Sequence, residues 1–222
     1  ISKLQDIRDN LKDFTAKTIE KSVINLKISN LNTLLLHSSN DLLLEKKYEV
    51  YEAICNCKNI GLCKTIGISA YNVKEVREII KYFDIDVVQF PFSVFNTQLL
   101  ESGLLSELKA RNIEVHVRSI FLQGLLLMNK LEMNPYFQTW SNLFENWENW
   151  LIKNDISKIA ACLLFVFNEQ KIDKYIVGID TYDQLKEIIN ILRFQNSQNI
   201  PFKFSSSDEK LINPSMWNLT NN

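Results

Sequence analysis

His37 is the residue of this chain whose position most suggests chemistry. In "TLLLHSSND" (33–41) it follows three leucines, at the end of a buried-looking run. An imidazole there can donate a hydrogen bond to a substrate carbonyl or pass a proton. A histidine satisfied by loop carbonyls is the plainer reading of the same pattern. Other apolar runs end in the same way. "ISKL" carries Lys3, "CKTIGIS" ends at Ser69, "DVVQF" holds Gln89 and "IEVHVRS" closes on Arg118-Ser119. "KYIVGI" runs out at Gly178, with Asp180 and Thr181 just beyond. One polar ending means little, because strands commonly enter polar loops. A series of them points to a shared pocket at the strand ends.

Other residues read more simply. His116 alternates with valines and reads as a packed side chain between sheet and helix. Lys3 alone reads as a surface lysine. Beside a tyrosine its ammonium would lower that hydroxyl's pKa, but no tyrosine precedes it. Trp140, Phe144, Trp147 and Leu151 recur at helical spacing and read as core. Trp150 lies off that stripe. "NPSMW" (213–217) fits docking on the same fold or on a partner equally well.

These residues need elements to position them. Helical spacing runs over 14–28 (Thr15 a fitting N-cap), 47–58, 72–83 behind Asn72, 97–111, 136–153, 156–169 and 182–192. Apolar runs at 31–37, 63–69, 86–90, 113–119 and 174–179 alternate with them, after the short piece Ile1–Leu4. The strands are continuously apolar, the mark of a parallel sheet covered by helices. About six strand–helix units in series fit an open doubly wound sheet or a (β/α)8 barrel. No Gly-rich fingerprint follows a strand, which disfavours the first. In a barrel, function gathers at the strand C-termini.

Composition narrows the class further. The chain has 222 residues, enough for a single domain, residues 1–222, with a sizeable core. Its formal net charge of -1 gives no basic face for nucleic acid or anionic membrane. The longest apolar runs are too short to span a bilayer. Four cysteines (Cys55, Cys57, Cys63, Cys162) lack metal-site spacing and read as free thiols in a reducing, cytoplasmic setting. The chain opens without Met or a signal-peptide pattern.

Four stretches together resemble the aldo-keto reductase family. "KSVINLKISNLNTLLLHSSNDLL" resembles the family's helix and the strand that ends in its catalytic His. "KTIGISAY", "DVVQFPFSVFN" and "IEVHVRSIFLQGLLL" resemble three later strands with their loops, in the family's order. "DKYIVGIDTYDQLKEII" resembles the last strand and helix. The resemblance covers nearly the whole chain. It implies a (β/α)8 TIM barrel that binds NAD or NADP and reduces aldehydes or ketones, a bacterial oxidoreductase among sugar-modifying relatives.

By the same resemblance His37 is the carbonyl-orienting His, and Lys3 matches the catalytic Lys. Ser69, Ala70 and Gln89 match the nicotinamide carboxamide site. Arg118 stands where an aromatic stacks on the nicotinamide ring, a place a planar guanidinium can also take. Ser119, Phe121, Gln123 and Gly124 match the loop over the pyrophosphate, and Gly178, Thr181 and Gln184 the adenosine-phosphate site. Departures accompany the matches. Ala70 replaces an Asn, Gly178 and Gln184 stand where NADP-dependent members have Lys and Arg, and Ile188 replaces an adenine-contacting Asn. These tilt the expectation toward NAD.

The family's first two strands, with its catalytic Asp and Tyr, have no counterpart. The expectation is therefore an N-terminally incomplete barrel, the C-terminal three-quarters of a reductase and inactive alone for want of the Tyr acid. The expected partner is a small carbonyl substrate, without nucleic acid or membrane, in a monomer or weak homo-oligomer. Two alternatives stand: a non-catalytic nucleotide-binding or subunit relative, and an unrelated open α/β protein.

Overall fold

The structure is a computed structural model that describes residues 11–193 and 200–219, the side chain of Phe202 apart. Ile1–Leu4, the first expected unit, lies outside the described residues, and Lys3 with it. The strands form a five-stranded α/β sheet in the order β1-β2-β3-β4-β5, with helices between successive strands. β1 (Leu31–Leu36), β2 (Cys63–Ser69) and β3 (Val87–Pro91) pair in parallel, as do β4 (Glu114–Arg118) and β5 (Lys174–Tyr175). The chain divides into two compact units, Ile1–Gln89 with Glu107–Val115, and Phe90–Ser106 with His116–Asn222.

In the first unit, α1 (Leu11–Leu26) is already helical at Leu11, so Thr15 is not its cap. Strand register explains the next layer. Leu34 pairs with Ile66, and Leu36 with Ile68, which pairs with Val88. Side chains alternate along a strand, so these share one sheet face. Leu34, Leu36 and Ile66 pack there with Ile54 and Cys57 of α2 (Lys47–Asn59). The opposite face carries Thr33 and Thr65, whose hydroxyls bond at 2.9 Å, then Leu35, Gly67 and Val87. Gly67 has a steric reason: a Cβ there would lie 2.0 Å from the Val87 carbonyl oxygen. β2 and β3 can approach this closely only with hydrogen at that position.

The lower end of this sheet is tied by Asp86. Its carboxylate accepts from Lys58 Nζ at 2.6 Å and from the Ile66 amide at 2.9 Å. α3 (Val73–Tyr82) starts where expected: Asn72 Oδ1 accepts from the Glu75 amide at 2.8 Å. Val76, Ile79 and Ile80 bury its apolar face.

The expected helix over 97–111 is two helices, α4 (Gln98–Glu101) in the second unit and α5 (Leu104–Ala110), whose residues from Glu107 on belong to the first. Gly103 lies at φ 75° between them, a left-handed residue that ends one helix before the next begins. Ser102 Oγ donates to the Gln98 carbonyl at 2.6 Å and accepts from the Leu104 amide at 3.3 Å. The stretch 136–153 also splits, into a 3-10 segment (Pro135–Trp140) and α6 (Ser141–Lys153). The aromatic stripe is core: Phe144 and Trp147 meet Phe95 at ring distances of 5.2 and 6.4 Å. Trp150, though off the stripe, stacks on Trp147 at 5.8 Å. Trp217 of "NPSMW" docks on its own unit, against Phe137 at 4.9 Å. His116 is buried, as its alternation predicts.

β5 is shorter than the expected 174–179. The Ile176 amide still donates to the Val117 carbonyl at 2.8 Å, and strand structure stops there. Gly178 adds no side chain to hold an extended edge. α7 (Lys158–Phe167) precedes β5 and α8 (Tyr182–Arg193) follows it. Among the described residues no helix is long and apolar enough to cross a membrane.

Candidate functional site

Strand register places part of the expected site in one row of the first unit. Leu36, Ile68 and Val88 are paired neighbours on adjacent strands. The next residues along are His37, Ser69 and Gln89, and Ser69 pairs with Gln89. The row therefore sits at the C-terminal ends of β1 and β2 and at the middle residue of β3, which runs on through Phe90 and Pro91 instead of ending at Gln89, directly above fully apolar Ile68 and Val88.

Ser69 Oγ donates to Gln89 Oε1 at 3.1 Å. Ser69 is buried and Gln89 half-buried, so the bond fixes an amide where water is already scarce. That arrangement leaves the Gln89 amide nitrogen as a donor beside a second acceptor lone pair, a good match for a ligand amide. The Ala70 amide donates to the Gln89 carbonyl at 2.9 Å, and its methyl is fully buried. Ala70 thus extends the β2–β3 pairing with its backbone, while its side chain offers no polar group. His37 is exposed, one residue beyond β1.

The loop after β4 belongs to the second unit. Arg118 Nη1 donates to Ser119 Oγ at 3.3 Å, and the Arg118 carbonyl accepts from the Phe92 amide at 3.0 Å. Beyond them the backbone is left-handed at Ser119 (φ 60°), Leu122 (47°), Gln123 (55°) and Gly124 (84°). Only the last of these has the residue type that adopts such angles freely. Strain concentrated in one short loop is a signature of sites where backbone amides are aimed at a ligand. Leu122, buried at 1%, and the Leu122 amide bond to the Ser119 carbonyl at 2.9 Å hold the loop in place. Phe121 is half-buried, its carbonyl accepting from the Leu126 amide at 3.3 Å; Gln123 is exposed.

At the β5 end of the same unit, Thr181 and Gln184 close on each other. Thr181 Oγ1 accepts from the Gln184 amide at 3.3 Å. Gln184 Oε1 in turn accepts from the Asp180 amide at 2.8 Å and the Thr181 amide at 3.3 Å. This is a reciprocal cap for α8. Gly178 is exposed, with open space where a Cβ would be. Ile188 is buried and serves packing.

The site residues thus form two groups: His37, Ser69, Ala70 and Gln89 in one unit, and Arg118 to Gly124 with Gly178, Thr181 and Gln184 in the other. Sequence reasoning missed the left-handed run, whose signal in composition is Gly124 alone. It also missed Ser39 and Glu75, a buried pair joined at 2.6 Å beside the first group. Glu75 was legible only as the third residue of a capped helix.

A parallel α/β sheet with polar residues near its strand ends and a strained loop after one strand fits more than one α/β class. Known proteins narrow the choice. The Aldo/keto reductase family matches residues 5–200, and the chain belongs to that family. An aldo-keto reductase from Bacillus halodurans in its apo form superposes with a TM-score of 0.68 at 17% identity, covering 83% of this chain and 64% of that one. Its holo form gives 0.63 at 17%, covering 83% and 62%. The glycerol dehydrogenase of Gluconobacter oxydans gives 0.54 at 16%, covering 83% and 65%. This chain therefore spans less than two thirds of the length of these structures. No curated protein sequence matches it.

Proposed function

We propose that this chain is the greater part of an NAD(P)-dependent reductase of aldehydes and ketones. The row of His37, Ser69 and Gln89 on three adjacent strands carries the reading. Ser69 holds Gln89, and Gln89 with Ser69 would bind the nicotinamide carboxamide through complementary donors and acceptors. His37 would donate a hydrogen bond to the substrate carbonyl oxygen, drawing electron density from the carbon that is reduced. The nicotinamide, when bound, supplies the hydride. The Ser119–Gly124 loop would present amides to the pyrophosphate, and the Arg118 guanidinium a flat face to the ring.

Family resemblance assigns the proton to a tyrosine tuned by Lys3. No residue of this chain matches that tyrosine, so the reductase reading applies to a protein that carries this chain together with such a proton donor. The cofactor is NAD rather than NADP. A 2′-phosphate at the start of α8 would find the Asp180 and Thr181 amides already bonded to Gln184, and Asp183 in the first turn repels it.

The test is a fluorescence titration of NADH and NADPH onto the chain, followed by NADH oxidation with benzaldehyde by the longer gene product. NADH should bind more tightly than NADPH, and Gln89→Ala should weaken NADH about tenfold. His37→Ala should lower turnover by about a hundredfold. Binding without turnover in the longer product would favour a non-catalytic nucleotide-binding relative, a reading that the buried methyl of Ala70 supports. Absence of nucleotide binding from both would end the reductase reading.

A further inference from the structure

Glu75 occupies a position whose usual job it does not do. It is the third residue of α3, behind the N-cap Asn72. A glutamate there commonly turns back to the amide of the cap itself. Here one carboxylate oxygen, Oε2, accepts from the amide of Tyr71 at 3.4 Å, one residue earlier. The other, Oε1, reaches out of the helix altogether and accepts from Ser39 Oγ at 2.6 Å. Glu75 is 7% exposed and Ser39 2%. No lysine or arginine partners this carboxylate in those bonds. Burying a carboxylate is costly unless its lone pairs are bonded, and the positive end of α3 offsets part of that cost.

The loop that Glu75 grips is the one that carries His37. β1 ends at Leu36, fixed by its pairing with Ile68. Ser39 opens a 3-10 turn, Ser39–Leu42, whose Leu42 is completely buried. His37 and Ser38 span the gap between the paired strand and the gripped serine. Two fixed points this close leave the backbone of His37 little freedom. The Tyr71 bond fastens the same carboxylate to the segment after Ser69 and Ala70. One side chain therefore sets the strand end that bears His37 against the strand end that bears Ser69.

We propose that Glu75 is a positioning residue for His37, acting through Ser39; the assignment rests on the reductase reading above. The chain makes the test clean, because it holds 2 histidines. His116 is buried in the other unit and serves as an internal control. The full chain, labelled at the imidazole rings, is compared with Glu75→Ala, Glu75→Gln and Ser39→Ala by heteronuclear NMR. His37→Gln assigns the two signals.

In Glu75→Ala the His37 signal should shift or split while His116 stays in place. Glu75→Gln should restore a single His37 signal, since an amide oxygen still accepts from Tyr71 and the amide nitrogen can donate to Ser39 Oγ. Ser39→Ala should move His37 less. In the longer gene product, Glu75→Ala should lower kcat for benzaldehyde about tenfold and leave KM for NADH unchanged. An unmoved His37 signal in Glu75→Ala overturns the proposal. So does equal movement of both histidines, which marks general loosening. If the wild type neither binds NADH nor turns over, the reductase reading falls instead, and the ring signals still decide whether Glu75 fixes His37.

Discussion

The ends of β2 and β5 look alike in sequence: an apolar run, then small and polar residues. They are built differently. At β2, Ser69 is buried and bonded to Gln89 on the neighbouring strand, and Gly67 below it permits an approach no other residue allows. At β5, pairing ends after Tyr175, Gly178 stands in open space, and the polar residues bond to one another around the start of α8. Polar groups at a strand end can thus be held across strands, where they remain available to a ligand. They can also be consumed locally in capping a helix. Partner choice, not residue type, separates the two cases.

The largest expected difference comes from one methyl group at each end. Gly67→Ala places carbon 2.0 Å from the Val87 carbonyl oxygen, so β2 and β3 must separate. Loss of about 3 kcal/mol follows, or failure to fold, read by urea denaturation. Gly178→Ala meets nothing within 4 Å and should change stability by no more than about 0.5 kcal/mol. Equal effects of the two would break the comparison.

Alkaline pH sharpens it next. Burial pushes the Cys63 thiol, at the start of β2, up to about 11, with Cys57 and Lys58 acting as smaller opposed influences. The unfolded thiol ionises near its usual value of about 8.5. Below that value both states hold the proton and the folded state keeps its full advantage. As pH rises toward 11 the unfolded chain releases the proton and the folded chain does not, so stability falls across that window. Cys63→Ala should flatten the fall in denaturation measured from pH 8 to 11. Tyr175 of β5 is likewise pushed upward by burial, from a higher starting value, so its influence comes later in the titration.

Much of this was legible in the sequence, for physical reasons. Period and apolar runs located β1 to β4 within a residue, because buried parallel strands tolerate little else. Asn72 was readable as a cap because its hydrogen bond is local. Helix 97–111 was misread as continuous because Gly103 counts only once its left-handed angle is known. Strand 174–179 was too long because its apolar residues promise burial that Ile176 and Ile179, both exposed, do not find. The resemblance pointed to His37, Ser69 and Gln89 as candidates, but not to the bonds around them. The Ser39–Glu75 bond links residues 36 positions apart, and no local pattern announces it.

Gln184→Ala is the smallest expected effect and the one that tests the β5 side directly. The substitution removes the acceptor of the Asp180 and Thr181 amides while Thr181 Oγ1 still caps Gln184's own backbone position. Helix α8 should lose about 1 kcal/mol, visible as faster hydrogen exchange in its first turn. The freed amides also point two donors toward any anion at that helix start. Affinity for NADPH should then rise severalfold relative to NADH, even as the helix weakens. Stability and phosphate affinity moving in opposite directions would mean that Gln184 occupies a phosphate position. A loss of stability with an unchanged NADPH to NADH ratio would leave it a helix cap alone, and the proposed preference for NAD would then rest on Asp183.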